Sequence, residues 1–215
     1  MKRIFMLALS FNLLTVAVFA QNLTVGPSSK QLMATNMKSY EGSPFFNNSY
    51  TESRVKTNSQ KEFMAPALRY NLYTQQLEYS DNDKVYAIQD SVQAFTMPDS
   101  LGHIHHFIKK KGEKKDAFYE ILFSGNAELL KQYIAKNEVT EDWYTKKQVK
   151  KMVHQVIYFL NKDGKIQKIS PAGKNIHALL ADKKDKIQAL IDTEKPDLNT
   201  DTGLIEVFKY YNASN

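Results

Sequence analysis

The chain has 215 residues, of which 42% are hydrophobic and 24% charged, with a formal net charge of +6. That is the composition of a folded domain and is too apolar for intrinsic disorder. The absence of cysteine excludes disulfide scaffolds, thiolate zinc sites, iron–sulfur clusters and cysteine nucleophiles.

Met1-Lys2-Arg3 precedes an apolar run from Ile4 to Ala20. Two positive charges, a short apolar core and a small residue at its end predict a secretory signal peptide over 1–20. Val18 and Ala20 place cleavage after Ala20. The alternative, an uncleaved anchor, is disfavoured because the run is short for a spanning helix. Loss of Lys2 and Arg3 takes the net charge from +6 to +4. Residues 21–49, with Gly26-Pro27-Ser28-Ser29 and Gly42-Ser43-Pro44, read as a lead-in rich in turn formers. Leu32, Met33, Phe45 and Phe46 are its candidate anchors.

The pattern predicts one α+β domain over 50–215. Eight to ten strands are expected between 53 and 170, as an antiparallel meander or roll. Asp81-Asn82-Asp83 and Asp163-Gly164 read as hairpin tips. The run 109–115 reads as a lysine loop, and 117–123, apolar on both faces, as a central strand. Ser124-Gly125-Asn126 suggests a type II′ turn. Residues 127–136 fit both strand and helix spacing; the turn before them favours strand. Residues 137–150 read as polar loop. Apolar residues then recur at three- and four-residue steps over 174–193, predicting a helix or two with a break near Asp182. Thr200 or Asp201 can cap a last helix over 201–212, with Leu204, Val207, Phe208 and Tyr211 as its buried stripe. These helices are expected to pack on the sheet.

Several segments occur in a consistent order: Gly42-Ser43-Pro44-Phe45, Leu68-Arg69-Tyr70-Asn71-Leu72-Tyr73, Phe118-Tyr119-Glu120 with Gly125, Asp182-Lys183-Lys184-Asp185, and Val207-Phe208-Lys209-Tyr210-Tyr211-Asn212. In this set the chain resembles a group of uncharacterised exported proteins of Bacteroidota. The resemblance implies export, a β-rich body and a helical tail. It implies no activity. Ala181 stands where a glycine marks the helix break in that group.

Candidate chemistry is sparse. His103 and His105 share one face of a strand, about 7 Å apart at Cα, and two imidazoles at that spacing can share a metal ion. Phe107 and Ile108 follow His106 where a general base and further ligand would be needed. Lys109, Lys110, Lys111, Lys114 and Lys115 form a candidate anionic-surface patch, each lysine contributing about 1 kcal/mol near a charged bilayer. A second basic stretch spans 146–151. Trp143 is the aromatic best placed for exposure, yet it reads as a packing anchor. No nucleophile elbow, zinc-protease motif or phosphate-binding glycine loop occurs, so no catalytic residue and no cofactor are expected. Export and a modest charge exclude nucleic acid as a partner. The expected function is non-catalytic binding of an envelope protein or of an anionic lipid or lipopolysaccharide surface. The alternative is a metal- or carboxylate-dependent hydrolase.

Overall fold

A computed structural model describes residues 29–32, 40–59, 61–88, 92–112 and 116–213. The signal-peptide reading over 1–20, Gly26-Pro27-Ser28, Met33, Lys114 and Lys115 lie outside these residues. Among the described residues no helix is long and apolar enough to cross a membrane.

The strands are β1 (Ser29–Gln31), β2 (Tyr40–Glu41), β3 (Thr51–Thr57), β4 (Glu62–Asn71), β5 (Gln76–Asp81), β6 (Lys84–Ile88), β7 (Val92–Pro98), β8 (Ile104–Lys111), β9 (Asp116–Phe123), β10 (Ala127–Glu141), β11 (Gln148–Lys162) and β12 (Lys165–Lys168). They form one sheet in the order β1-β6-β5-β4-β3-β7-β8-β9-β10-β11-β12, with β2 beside β11. Among the described residues every strand pairing is antiparallel except β2 with β11, so the sheet is mixed. Among the described residues the body between 51 and 168 carries ten strands, within the eight to ten expected. The lead-in is more than an approach segment, because it supplies β1 and β2.

The local chemistry of the turns explains most of this order. Asn82 and Asp83 take φ of 47° and 61°, and Asp163 and Gly164 take 52° and 74°. These positive values twist two-residue turns to match their strands. Gly125 does not follow: its φ is not positive, so the expected II′ turn is not formed. Pro66 interrupts β4 where the β3–β4 register shifts, a bulge that removes the need for its missing N–H.

Directly paired residues share a face of the sheet. One such row crosses six strands: Val55–Phe95–Phe107–Glu120–Lys131–Tyr158. At its first half the sheet curls around a core of Val55, Leu68, Tyr70, Phe95, Phe107 and Phe118. The curl brings the β4–β5 turn to β10. Ala135 N–H donates to Leu72 O (3.1 Å), and Gln75 Nε2 donates to Tyr133 O (3.0 Å). Residues 42–47 lie along this seam as a strap. Leu72 N–H donates to Pro44 O (2.7 Å), Phe46 N–H to Tyr70 O (3.0 Å), and Phe45 bridges Asn71. The Arg69 guanidinium lies over the rings of Phe45 (3.4 Å) and Tyr50 (4.3 Å).

At the other half of the row the helical tail covers the sheet. It comprises α1 (Ile176–Leu179), α2 (Lys184–Glu194) and α3 (Asp201–Ala213), with 3-10 turns at Pro171–Gly173 and Ala181–Lys183. The helix does break near Asp182, without a glycine. Leu180 (φ −109°, ψ 40°) and Lys183 (φ −128°, ψ 27°) leave helical geometry while Leu180 stays buried. Thr200 caps α3, its Oγ1 accepting the Gly203 N–H (3.1 Å). Leu204, Val207, Phe208 and Tyr211 pack against Leu129, Leu160, Ile176 and Ile187.

Candidate functional site

Glu120 is a buried acid in a strand whose other buried residues, Ala117, Phe118 and Tyr119, are hydrophobic, and such a group needs partners. They come from both neighbouring strands. His105 lies two residues before Phe107 on β8, and its Nδ1 is 2.6 Å from Glu120 Oε1. Tyr133 lies two residues past Lys131 on β10, and its hydroxyl donates to Glu120 Oε2 (2.6 Å). Phe46 of the strap sits edge-on to both rings, 5.0 Å from each centroid. The cluster is therefore roofed by an aromatic ring.

Asp99 supplies the third side. It sits in the β7–β8 turn, where its Oδ1 accepts the N–H groups of Leu101 (2.8 Å) and His103 (2.9 Å). Its Oδ2 faces His103 Nδ1 at 3.2 Å and His105 Nε2 at 3.5 Å. The His105 contact is an ion-pair approach without hydrogen-bond alignment, since Nε2 is buried with no hydrogen-bond partner. His103 and His105, the candidate metal pair, are thus brought together on one carboxylate oxygen. No group of three or more histidine or acidic side chains among the described residues is placed to hold a metal ion.

The electrostatics follow from these partners. The Glu120 hydrogen bond raises the His105 imidazole above its ordinary value, against the opposing effect of burial. Burial opposes ionisation of Asp99, yet the N–H groups of His103 and Leu101 and the two imidazoles outweigh it and hold the carboxyl down at about 2. Burial, reinforced by the Glu120 carboxylate, pushes the Tyr133 hydroxyl up. Beside this cluster a second one joins sheet to helix. Lys131 Nζ donates to Asp201 Oδ2 (2.7 Å) and the Tyr158 hydroxyl to Asp201 Oδ1 (2.6 Å). Chemically the first cluster is an imidazole clamped between two carboxylates, with its ring nitrogens facing protein groups. Clefts of about 240–260 Å³ lie elsewhere, for example beside Val156, Ile169, Pro171 and Leu198.

The lysine run is dispersed. β8 extends through Lys111, so Lys109, Lys110 and Lys111 are strand residues and not loop. Lys109 Nζ lies 5.0 Å over the Phe118 ring, and Lys110 pairs with Glu128 at 2.9 Å. Lys111 is exposed. An exposed positive surface forms instead around 136–151. This stretch is not a loop, because β10 runs to Glu141 and β11 starts at Gln148. Trp143 is not a packing anchor either: it is 81% exposed, beside Tyr144 at 79%. The polar residues of 136–141 were misleading because a strand pair that leaves the core has no buried face to reveal.

The turn carrying these rings is tightly held. Asp142 Oδ1 accepts Tyr144 N–H (3.1 Å), Thr145 N–H (2.6 Å) and the Thr145 hydroxyl (2.8 Å). Asp142 N–H donates to Lys147 O, and Lys146 N–H to Asp142 O, each at 2.9 Å. The two rings meet edge to face at 5.7 Å. Comparison with protein-family models, curated proteins and solved structures found no match to this chain.

Proposed function

We propose that this is an exported envelope protein that binds a partner without catalysing a reaction, and that the β10–β11 hairpin is its contact element. The observation that carries this reading is the tip, where a hydrogen-bonded turn holds Trp143 and Tyr144 in solvent. Exposed aromatic pairs at a preorganised position are the economical way to bind, since little side-chain entropy is lost. The N-terminal charge and apolar pattern support export.

The rival reading is a hydrolase centred on His105, favoured by its contacts with Glu120 and Asp99. Against it, His105 and Glu120 face one another beneath Phe46.

The test is photo-crosslinking from the tip in intact cell envelopes, with Tyr144→p-benzoylphenylalanine. A discrete adduct that disappears with Trp143→Ala is expected. Absence of any adduct, together with turnover of an ester or glycan substrate that His105→Ala abolishes, would overturn the reading.

A further inference from the structure

We infer that the hairpin tip docks on the surface of an anionic phospholipid bilayer. The inference rests on the hairpin being the contact element and names what it contacts.

Reach comes first. Among the described residues Ala135 is the last of β10 whose backbone bonds to the curled half of the sheet, through Leu72. Residues 136–141 are all exposed. Six residues at about 3.4 Å each carry the tip about 20 Å beyond Ala135. β2 buttresses the base of this arm: Asn137 Nδ2 donates to the Tyr40 hydroxyl (3.1 Å), and Lys151 pairs with Glu41 (3.3 Å). The arm is long and supported, and it ends in two aromatic rings.

Chemistry comes second. Tryptophan and tyrosine combine an apolar ring with a polar handle, the pairing that suits the headgroup layer of a bilayer. The surrounding charge suits an anionic one. Lys136, Lys146, Lys147, Lys150 and Lys151 stand against Glu138, Glu141 and Asp142 and against Glu41 of β2, which leaves one positive charge in excess. Of these acids, Asp142 accepts three hydrogen bonds within its own turn, and Glu141 faces Lys146 at 3.5 Å. The excess is positive at the place where the rings project.

Size decides against a protein surface as the occupant. A standard protein interface buries about 800 Å² per partner around a packed centre. The tip is two strands wide, and among the described residues Val139, Val153 and Val156 are the further exposed large apolar residues of its hairpin. A bilayer needs only shallow insertion of a ring pair with lysines at headgroup level.

Trp143 is the chain's single tryptophan, so intrinsic fluorescence reads the tip directly. The protein as processed by its native host is titrated with vesicles of phosphatidylcholine alone, or with a third of phosphatidylglycerol. The phosphatidylglycerol vesicles are expected to shift Trp143 emission to the blue, and brominated lipid in them to quench it. Lys147→Glu with Lys150→Glu is expected to weaken partitioning by at least about tenfold, with an unchanged circular dichroism spectrum. An equal shift on phosphatidylcholine alone, or no shift on either, overturns the inference. In the second case a Trp143-dependent protein adduct in the cross-linking experiment would leave the binding reading standing.

Discussion

A Cβ on Gly125 would stand 2.6 Å from Asn212 Cγ. The glycine is required by this close approach and not by its own backbone angle. Asn212 fills the space because it mimics a neighbouring strand: its Oδ1 accepts the Ala127 N–H (3.1 Å) and its Nδ2 donates to Ala127 O (2.9 Å). Gly125→Ala is expected to destabilise by about 1–3 kcal/mol through overpacking. Asn212→Ala should cost a similar amount by leaving Ala127 unpaired. The double variant should cost clearly less than the sum, because the added methyl then has room. Urea melts of the four proteins measure this, and strict additivity would refute the contact.

Tyr133→Phe removes one hydroxyl and leaves Glu120 Oε2 without its donor. A loss of about 1.5–3 kcal/mol is expected, the range for a hydrogen bond to a charged group. Tyr73→Phe, at an exposed position, is the control and should lie within about 0.5 kcal/mol of the parent. Equal effects at both positions would remove Glu120 from the list of stabilising centres.

The cluster also links stability to pH. The folded state holds a proton on His105 more tightly than the unfolded chain, whose imidazole titrates near 6.5. This contribution is fully present below that value and is lost as pH rises through the raised folded value. Asp99 behaves oppositely. Its carboxyl, lowered from 3.8 to about 2, contributes above 3.8, and the contribution is lost as pH falls towards about 2. The stability difference between the parent and His105→Gln should therefore shrink as pH rises above about 6.5. A difference that grows with pH would contradict the His105–Glu120 contact.

Deleting 172–215 strips Leu129 and Leu160 of Ile176, Ile187, Leu204 and Phe208, and strips Ala127 of Asn212. The truncated chain is expected to aggregate and to lose its cooperative thermal transition, read by calorimetry and light scattering. A cooperative melt at the parent temperature would show the helical tail to be a separate unit.

The fold was legible where a residue's neighbours in sequence decide its conformation. Asp163-Gly164 makes its turn alone, and α3 shows its buried stripe at helical spacing. The helix break was legible despite Ala181, because Asp182 interrupts the apolar period there. Gly125 was misread because its constraint is Asn212, 87 positions away. The cluster was missed for a related reason: His105 signalled chemistry by itself, while Glu120 acquires its meaning from the register of β8, β9 and β10. A lone acid between Tyr119 and Ile121 was the available clue. The segments that carry the resemblance are largely explained as mutual packing. Pro44 and Phe45 meet Asn71 and Leu72, and Asp182 accepts the Tyr211 hydroxyl (2.6 Å).

The strap across the seam has a consequence in time. Ser43 O faces His154 Nε2 at 2.6 Å across 111 positions of sequence. A ribosome adding about 5–20 residues per second makes the second partner roughly 6–22 s after the first. The contact with His154 therefore cannot form until β11 has been made, whereas those with Tyr70 and Leu72 need only the chain through Leu72. Phe46 likewise meets Tyr133 only once β10 is in place. Contacts of such long range also slow the final closure. The seam is therefore completed only by a chain that already includes β10 and β11, in whichever compartment it folds.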